Sequence, residues 1–223
     1  MSRSFAMLDL PLSFLHRPAA PSAQPWLLVL MHGVGSNEQD LFGLAPYVPK
    51  NFHVISLRAP YAMGPSAWGW FAFTVDAQGE RTINEAQEAA SRQLVAQTLA
   101  AAAQQLGIPP ARVVVGGFSQ GGIMALSLLL SQPALLQAAM VLHSRLLTQV
   151  VPLVAAHEAL KGKQLWLSHG THDEVIPLAS AHAIRELVET LPIELSYSEY
   201  PSAHELIQQE LVDAMGWLQE LTE

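Results

Sequence analysis

The run Val113-Val114-Val115 leads through Gly116-Gly117-Phe118-Ser119-Gln120-Gly121 into a second apolar stretch, residues 120–131, of helical length. A Gly-x-Ser-x-Gly turn between a strand and a helix holds its serine hydroxyl out on a sharp, strained bend. The bend crowds the flanking positions, where only glycine fits without a Cβ clash. The helix that starts there aims its free N–H groups and positive dipole end at the same spot, where negative charge is stabilised. Such a junction requires a buried strand feeding directly into a helix, as in a parallel sheet covered by helices.

The rest of the chain repeats that pattern. Strands are expected at residues 12–16, 26–31, 53–57, 112–116, 138–142, 164–168 and 194–197. Several are continuous apolar runs, such as Trp26-Leu27-Leu28-Val29-Leu30-Met31, the signature of strands buried on both faces. Helices are expected at residues 40–47, 84–106, 120–131, 151–159, 178–190 and 204–221. The long one stops at Gly107 with Pro109-Pro110 beyond it. The alternation implies one doubly wound, mostly parallel α/β sheet of about seven strands with helices on both faces, spanning residues 1–223 as a single domain. The proline-rich segment 18–25 reads as a surface loop between antiparallel strands, and residues 69–81, with a turn at Ala77-Gln78-Gly79, as a small hairpin.

Bulk properties exclude several classes. Half the chain is apolar and 13% is charged, which suits a packed core rather than disorder. A formal charge of −8 without a basic block argues against nucleic-acid binding. The chain has no cysteine, so thiol nucleophiles, thiolate metal sites and disulfides are excluded. Asp9, Pro11, His16 and Arg17 interrupt the apolar residues that follow Met1-Ser2-Arg3-Ser4, so no secretory signal is expected. The early apolar run is too short to span a bilayer, and a cytoplasmic protein without stable membrane insertion is the expectation.

Partners for Ser119 should lie beyond the carboxyl ends of the strands, in the chain order serine, acid, histidine. That order is restrictive, because of nine histidines only His182 and His204 follow Asp173. Asp173, in the loop His169-Gly170-Thr171-His172-Asp173, is preferred as the acid over Glu174. Gly170 is expected to allow a tight turn and Pro177 to start the next helix. His204 follows the last strand and is placed at the opening of the final helix, whereas His182 falls inside an amphipathic helix. The glycine-rich segment after residues 26–31, His32-Gly33-Val34-Gly35-Ser36, supplies backbone donors for an oxyanion hole: the N–H of Val34 and that of Gln120. His32 is read as ordering that loop. His169 and His172 beside Asp173 have a zinc-like spacing, but a site needs a third or fourth ligand in reach, no thiolate exists and the segment is already accounted for as the acid loop, so neither a metal nor a cofactor is assigned.

With these residues in place, the chain resembles the phospholipase/carboxylesterase family of α/β-hydrolases, which includes acyl-protein thioesterases and small carboxylesterases. The resemblance is carried by Met31-His32-Gly33-Val34-Gly35-Ser36-Asn37-Glu38-Gln39-Asp40, by Arg58-Ala59-Pro60-Tyr61 with Trp70-Phe71, by Gly116-Gly117-Phe118-Ser119-Gln120-Gly121-Gly122, by His169-Gly170 through Asp173 to Pro177, and by His204-Glu205. It implies a cofactor-independent serine esterase acting on a small-molecule ester or thioester. Family position also makes Ser119 the nucleophile, Asp173 the acid, His204 the base and Val34 and Gln120 the oxyanion donors. A homodimer is compatible with the family. Where the family usually shows Ser-Gly after residues 138–142, this chain has His143-Ser144-Arg145. Arg145 is read as a surface residue, with contact to an acidic substrate group as the alternative.

The expected reaction is two-step acyl transfer, with activity falling at acid pH as His204 protonates. Met63, Trp68, Trp70, Phe71 and Val175 are expected to form the substrate pocket, although Trp70 and Phe71 would equally serve to pin a hairpin to the core. Acyl-protein thioesterase or lysophospholipase activity, a peptidase or amidase, and a catalytically silent binding protein of the same fold are the competing readings.

Overall fold

The computed structural model describes residues 8–78 and 81–223, so Gly79 of the expected turn and the segment Met1-Ser2-Arg3-Ser4 lie outside the described residues. In chain order the elements begin with β1 (Phe14–Arg17), β2 (Trp26–Met31), α1 (Gln39–Phe42) and β3 (Phe52–Leu57). Two small hairpins follow, β4 (Tyr61–Gly64) with β5 (Ala67–Gly69) and β6 (Phe73–Val75) with β7 (Arg81–Ile83). Then come α2 (Glu85–Leu106), β8 (Val113–Phe118), α3 (Gln120–Ser131), β9 (Ala138–Leu142) and α4 (His157–Leu160). The chain ends with β10 (Lys163–Gly170), α5 (Ala179–Val188), β11 (Ile193–Tyr200) and α6 (Gln208–Glu220).

Seven strands form one sheet in the order β1-β3-β2-β8-β9-β10-β11, with every neighbouring pair parallel except β1 with β3. The segment 18–25 joins strands that run antiparallel, as expected, but β3 lies between them. β2 feeds β3 on one side and has β8 on the other, so the winding reverses between β2 and β8. Ligands bind at such a switch point, outside the carboxyl ends of the strands. Because β2, β8, β9, β10 and β11 are parallel, the loops after all of them meet at that one edge.

The sheet separates two cores. Successive residues of β2 alternate between them: Leu27, Val29 and Met31 pack on one side with α2 and α3, and Trp26, Leu28 and Leu30 on the other with Phe52, Trp217 and Leu218. Both faces are covered, which explains why β2, β3 and β9 are fully buried and why β2 and β9 read as unbroken apolar runs. α3 is buried from Gln120 to Leu130, so its sequence is apolar all round. α2 stops where its sequence promised, with Gly107 closing the helix at φ 67°, and at its start the Asn84 side chain accepts from Gln87 N–H.

Three expected helices differ most from those observed. The helix expected at 151–159 is a 3₁₀ segment, Thr148–Leu153, followed by the single turn of α4. Pro152 lies within that segment and supplies no N–H. The helix expected at 40–47 runs only over Gln39–Phe42, after which i→i+3 bonds from Leu44 and Ala45 tighten the chain into turns. The last helix starts at Gln208, with Ile207 extended at φ −100°, so His204 stands in the preceding loop and does not open α6. Among the described residues, no helix is long and apolar enough to cross a membrane.

Candidate active site

Ser119 sits between β8 and α3 with φ +54°, a conformation that L-residues rarely adopt. The flanking glycines make this bend possible. A Cβ on Gly117 would lie 2.2 Å from the Gly121 carbonyl carbon, and one on Gly121 would lie 1.9 Å from the Met31 carbonyl oxygen. The glycines thus allow the helix start to collapse onto β8 and β2. Ser119 N–H donates to Leu142 O at 2.9 Å, and the Ser144 hydroxyl donates to Ser119 O at 2.9 Å, so the strained residue is held from both sides.

The structure brings Ser119, His204 and Asp173 together although they come from three different loops. His204 Nε2 is 2.9 Å from Ser119 Oγ, and His204 Nδ1 is 2.7 Å from Asp173 Oδ2. The Phe118 ring lies 4.8 Å from the His204 ring and backs it. Asp173 Oδ1 accepts from the N–H groups of Val175 and Ile176 at 2.9 and 2.8 Å. Gly170 serves close approach rather than a turn: a Cβ there would lie 2.4 Å from Ser202 O and 2.5 Å from Ala203 O. Its absence lets the loop carrying His204 lie against the loop carrying Asp173. Pro177 lies outside α5, which starts at Ala179.

Behind Asp173 lies a buried charge network that the sequence reading did not anticipate. His143, fully buried with φ +46°, bridges Asp173 Oδ2 through Nδ1 and Glu210 Oε2 through Nε2, each at 3.2 Å. Both partners are carboxylates, and only a protonated imidazole can donate from both nitrogens. Burial pushes His143 down, but its hydrogen bonds to Glu210 and Asp173 outweigh this and raise it above the ordinary histidine value. Glu210 Oε1 accepts from the Ser168 hydroxyl at 2.6 Å. Burial pushes Asp173 up, yet hydrogen bonds from His204, the Ile176 N–H and His143 hold it below the usual aspartate value. His143 had been excluded as a base by chain order, which does not exclude a place behind the acid. Glu210 had one signal: it shares a helix face with the buried Ala214, Trp217 and Leu218, a carboxylate on an apolar stripe.

The loop after β2 supplies the facing wall. Ala59 N–H donates to His32 Nε2 at 3.1 Å, so Nδ1 carries the proton and donates to Gly33 O at 2.7 Å. His32 orders the loop, as anticipated, and burial holds it below the usual histidine value. Gly35 (φ 82°) turns the chain, and Trp68 clamps the turn by exchanging backbone hydrogen bonds with Gly35 and Ser36 at 2.8 and 2.9 Å. The N–H groups of Val34 and Gln120 make no hydrogen bond among the described residues. Val34, Gln120 and Ser119 line the same cleft.

That cleft is small, about 30 Å³, and is otherwise lined by Phe71, Phe73, Arg81, Ile123, Arg145 and Ile176. Of the five expected pocket residues, only Phe71 is there. Trp70 is fully buried in the core, its Nε1 donating to His32 O at 2.9 Å and its backbone N–H to Gln120 Oε1 at 2.7 Å. Trp68 lies under the Arg58 guanidinium beside the 33–36 turn. Met63 is exposed in the first hairpin, and Val175 is exposed with its backbone committed to Asp173. Trp68, Trp70 and Val175 thus brace the loops around the cleft instead of lining it, and Met63 lies outside it. Arg145, read as a surface residue, is half-buried on the cleft itself. Arg81 and Ile176 were missed, since nothing local in their sequence marks them.

A serine hydroxyl on a strained bend, bonded to an imidazole that is bonded to a carboxylate, can lose its proton as it attacks a carbonyl. Two free N–H groups on the same cleft can receive the oxyanion that forms. Of the groups with metal-ligand spacing, His143, Asp173 and His204 place ligand atoms within 4.8 Å of one another, and hydrogen bonds already account for that proximity. His169 turns Nε2 to Ile176 O at 2.7 Å, and His172 is exposed, so the pair does not converge.

Comparison with known proteins agrees with this layout. Residues 15–222 match the phospholipase/carboxylesterase family model. The chain is 29% identical over 154 residues to acyl-protein thioesterase 1 of Neurospora crassa, a match covering 67% of this chain and 63% of that protein, less than two thirds of its length. It is 25% identical over 209 residues to a probable carboxylesterase of Oryza sativa subsp. japonica, covering 85% of this chain and 86% of the relative. A carboxylesterase from Mesorhizobium loti superposes with a TM-score of 0.81 at 21% identity, over 96% of this chain and 97% of that one, and shares the α/β-hydrolase fold. The chain belongs to the phospholipase/carboxylesterase family of α/β-hydrolase enzymes.

Proposed function

We propose that this protein hydrolyses carboxylic esters through an acyl-enzyme on Ser119. Ser119 Oγ attacks the ester carbonyl while His204 Nε2 takes its proton, and the carbonyl oxygen becomes an oxyanion between the N–H groups of Val34 and Gln120. As the tetrahedral intermediate collapses, the bond to the alcohol oxygen breaks and His204 returns the proton to that oxygen. Water then repeats the sequence on the acyl-enzyme, releasing the acid and free Ser119. Asp173 keeps the His204 Nδ1 proton in place and stabilises the imidazolium that forms. The observation that carries this reading is the chain of hydrogen bonds from Ser119 to His204 to Asp173, at 2.9 and 2.7 Å.

The small cleft favours short acyl groups over long fatty chains, and therefore an esterase over a lysophospholipase. Thioester hydrolysis would use the same residues, and the name of the Neurospora relative is the observation that favours it. A series of p-nitrophenyl esters from acetate to palmitate, run beside an acyl-thioester on wild type and Ser119→Ala, tests the reading. The short esters should turn over fastest, and Ser119→Ala should lose activity on the order of 10⁶-fold. Equal rates for both proteins would exclude Ser119 as the nucleophile. No turnover of any ester or thioester would favour a catalytically silent binding protein.

A further inference from the structure

The cleft beside Ser119 carries two positive charges that the hydrolytic chemistry does not use. Arg145 enters it from the loop after β9 and Arg81 from the start of β7, and both line it together with Ser119, Gln120 and Val34. In a chain with 19 acidic and 11 basic residues, carboxylates are plentiful. Arg58 meets Glu38, Arg92 meets Glu88 and Arg185 meets Glu189. Among the described residues, neither the Arg81 nor the Arg145 side chain forms an ion pair or a hydrogen bond to a protein group; the Arg81 guanidinium lies over the Phe73 ring, 5.4 Å from its centroid.

Placing two guanidiniums together without a counter-ion is costly, the more so because one is half-buried. Burial, and then the Arg81 charge, hold Arg145 below the usual guanidinium range. Even so, a guanidinium stays charged at any physiological pH. The same two arginines also line a second cavity of about 220 Å³. Gln149 lines it as well, and its amide nitrogen is buried without a partner, a further donor lacking an acceptor. Glu85 reaches that second cavity but does not line the cleft at Ser119 and pairs with neither arginine.

We propose that the cleft selects esters bearing an anionic group, a carboxylate or a phosphate, a few atoms from the scissile carbonyl, with Arg145 and Arg81 binding that anion. The inference rests on the esterase reading and gives it a substrate class. Guanidinium and carboxylate meet through two parallel charged hydrogen bonds, among the strongest contacts available to a small ligand. The narrowness of the cleft sets the distance: an anion held by the arginines is only a short chain away from Ser119. The anion would sit either on the acyl side, as in a half-ester of a dicarboxylic acid, or on the alcohol side, as in an ester of a hydroxy acid.

Matched substrates separate these cases. Monomethyl glutarate against methyl glutaramate varies charge on the acyl side, and O-butyryl glycolate against O-butyryl glycolamide varies it on the alcohol side. In wild type, kcat/KM should favour the carboxylate by about tenfold or more in one pair, and the favoured pair identifies the side. In Arg145→Gln and Arg81→Gln that ratio should fall towards one, a readout that cancels any general loss of activity. A wild-type ratio at or below one in both pairs, or a ratio that neither substitution changes, would overturn the proposal. Calorimetric titration of Ser119→Ala with glutarate keeps the two readings distinct. Binding that is lost when Arg145→Gln is added supports an anion site even if no ester is hydrolysed, and absence of binding overturns it whatever the esterase assay shows.

Discussion

The two sides of Ser119 treat charge in opposite ways. Behind it, Asp173, His143 and Glu210 are almost wholly buried, yet every carboxylate oxygen in the group has a donor: His204 and His143 for Oδ2 of Asp173, two backbone N–H groups for Oδ1, and Ser168 and His143 for Glu210. In front of it, Arg145 and Arg81 face the cleft without a carboxylate. A fully paired network is rigid and holds a geometry, whereas an unpaired charge at a cleft is available to a ligand. The difference divides the proposed work, with positioning behind the serine and selection in front of it.

The largest effect should come from breaking the paired side at its centre. Asp173→Asn keeps the size of the side chain but offers an amide to a histidine nitrogen that needs an acceptor. Esterase kcat should fall by about 10⁴-fold, measured on the best short ester, with an intact fold by circular dichroism. Retention of a tenth or more of wild-type kcat would mean that His204 does not depend on Asp173.

His143→Gln tests the next link. It leaves Glu210 and Asp173 without the bridging cation, and breaking a buried pair of this kind costs about 3–5 kcal/mol of stability. The cost should depend on pH. The folded-state pKa of His143 is raised above 6.5, so its contribution is fully present below that value and is lost as pH rises through the higher folded value. Asp173, Glu210, His169 and His204 are the titratable groups that face it. Urea midpoints of wild type and variant should therefore lie furthest apart below the ordinary histidine value and converge as pH rises through the higher folded value. A difference that stays constant with pH would show that His143 is not a buried cation. The smallest effect belongs to the unpaired side, where Arg145→Gln should alter substrate preference by about tenfold.

Much of this arrangement was legible in the sequence where burial acts locally. β2, β9 and α3 lie at the expected residues because they are covered on all sides, and continuous apolarity is then both the cause of folding and the visible signal. The chain order of serine, acid and histidine reduced nine histidines to His182 and His204, and the place of His182 inside an amphipathic helix then left His204. Helix ends were less readable where proline or a tertiary bond intervened, as at Pro152 and His204. Trp70 illustrates the limit for the pocket. An aromatic residue in a glycine-rich loop suits a ligand wall or a core equally well, and only the bond from its indole to His32 O separates the two. Arg81 acquires meaning solely from what the fold brings beside it, whereas Glu210 shows in the sequence only as a carboxylate on an apolar stripe.

The central claim is that the strained hydroxyl of Ser119 takes up the acyl group. Rapid acid quench of the protein with p-nitrophenyl butyrate, followed by peptide mass mapping, tests it directly. A butyryl increment on Ser119 that forms before steady state and is absent in Ser119→Ala is the expected result. Steady ester turnover in wild type with no acyl adduct on Ser119, or with the adduct on another residue, would contradict it.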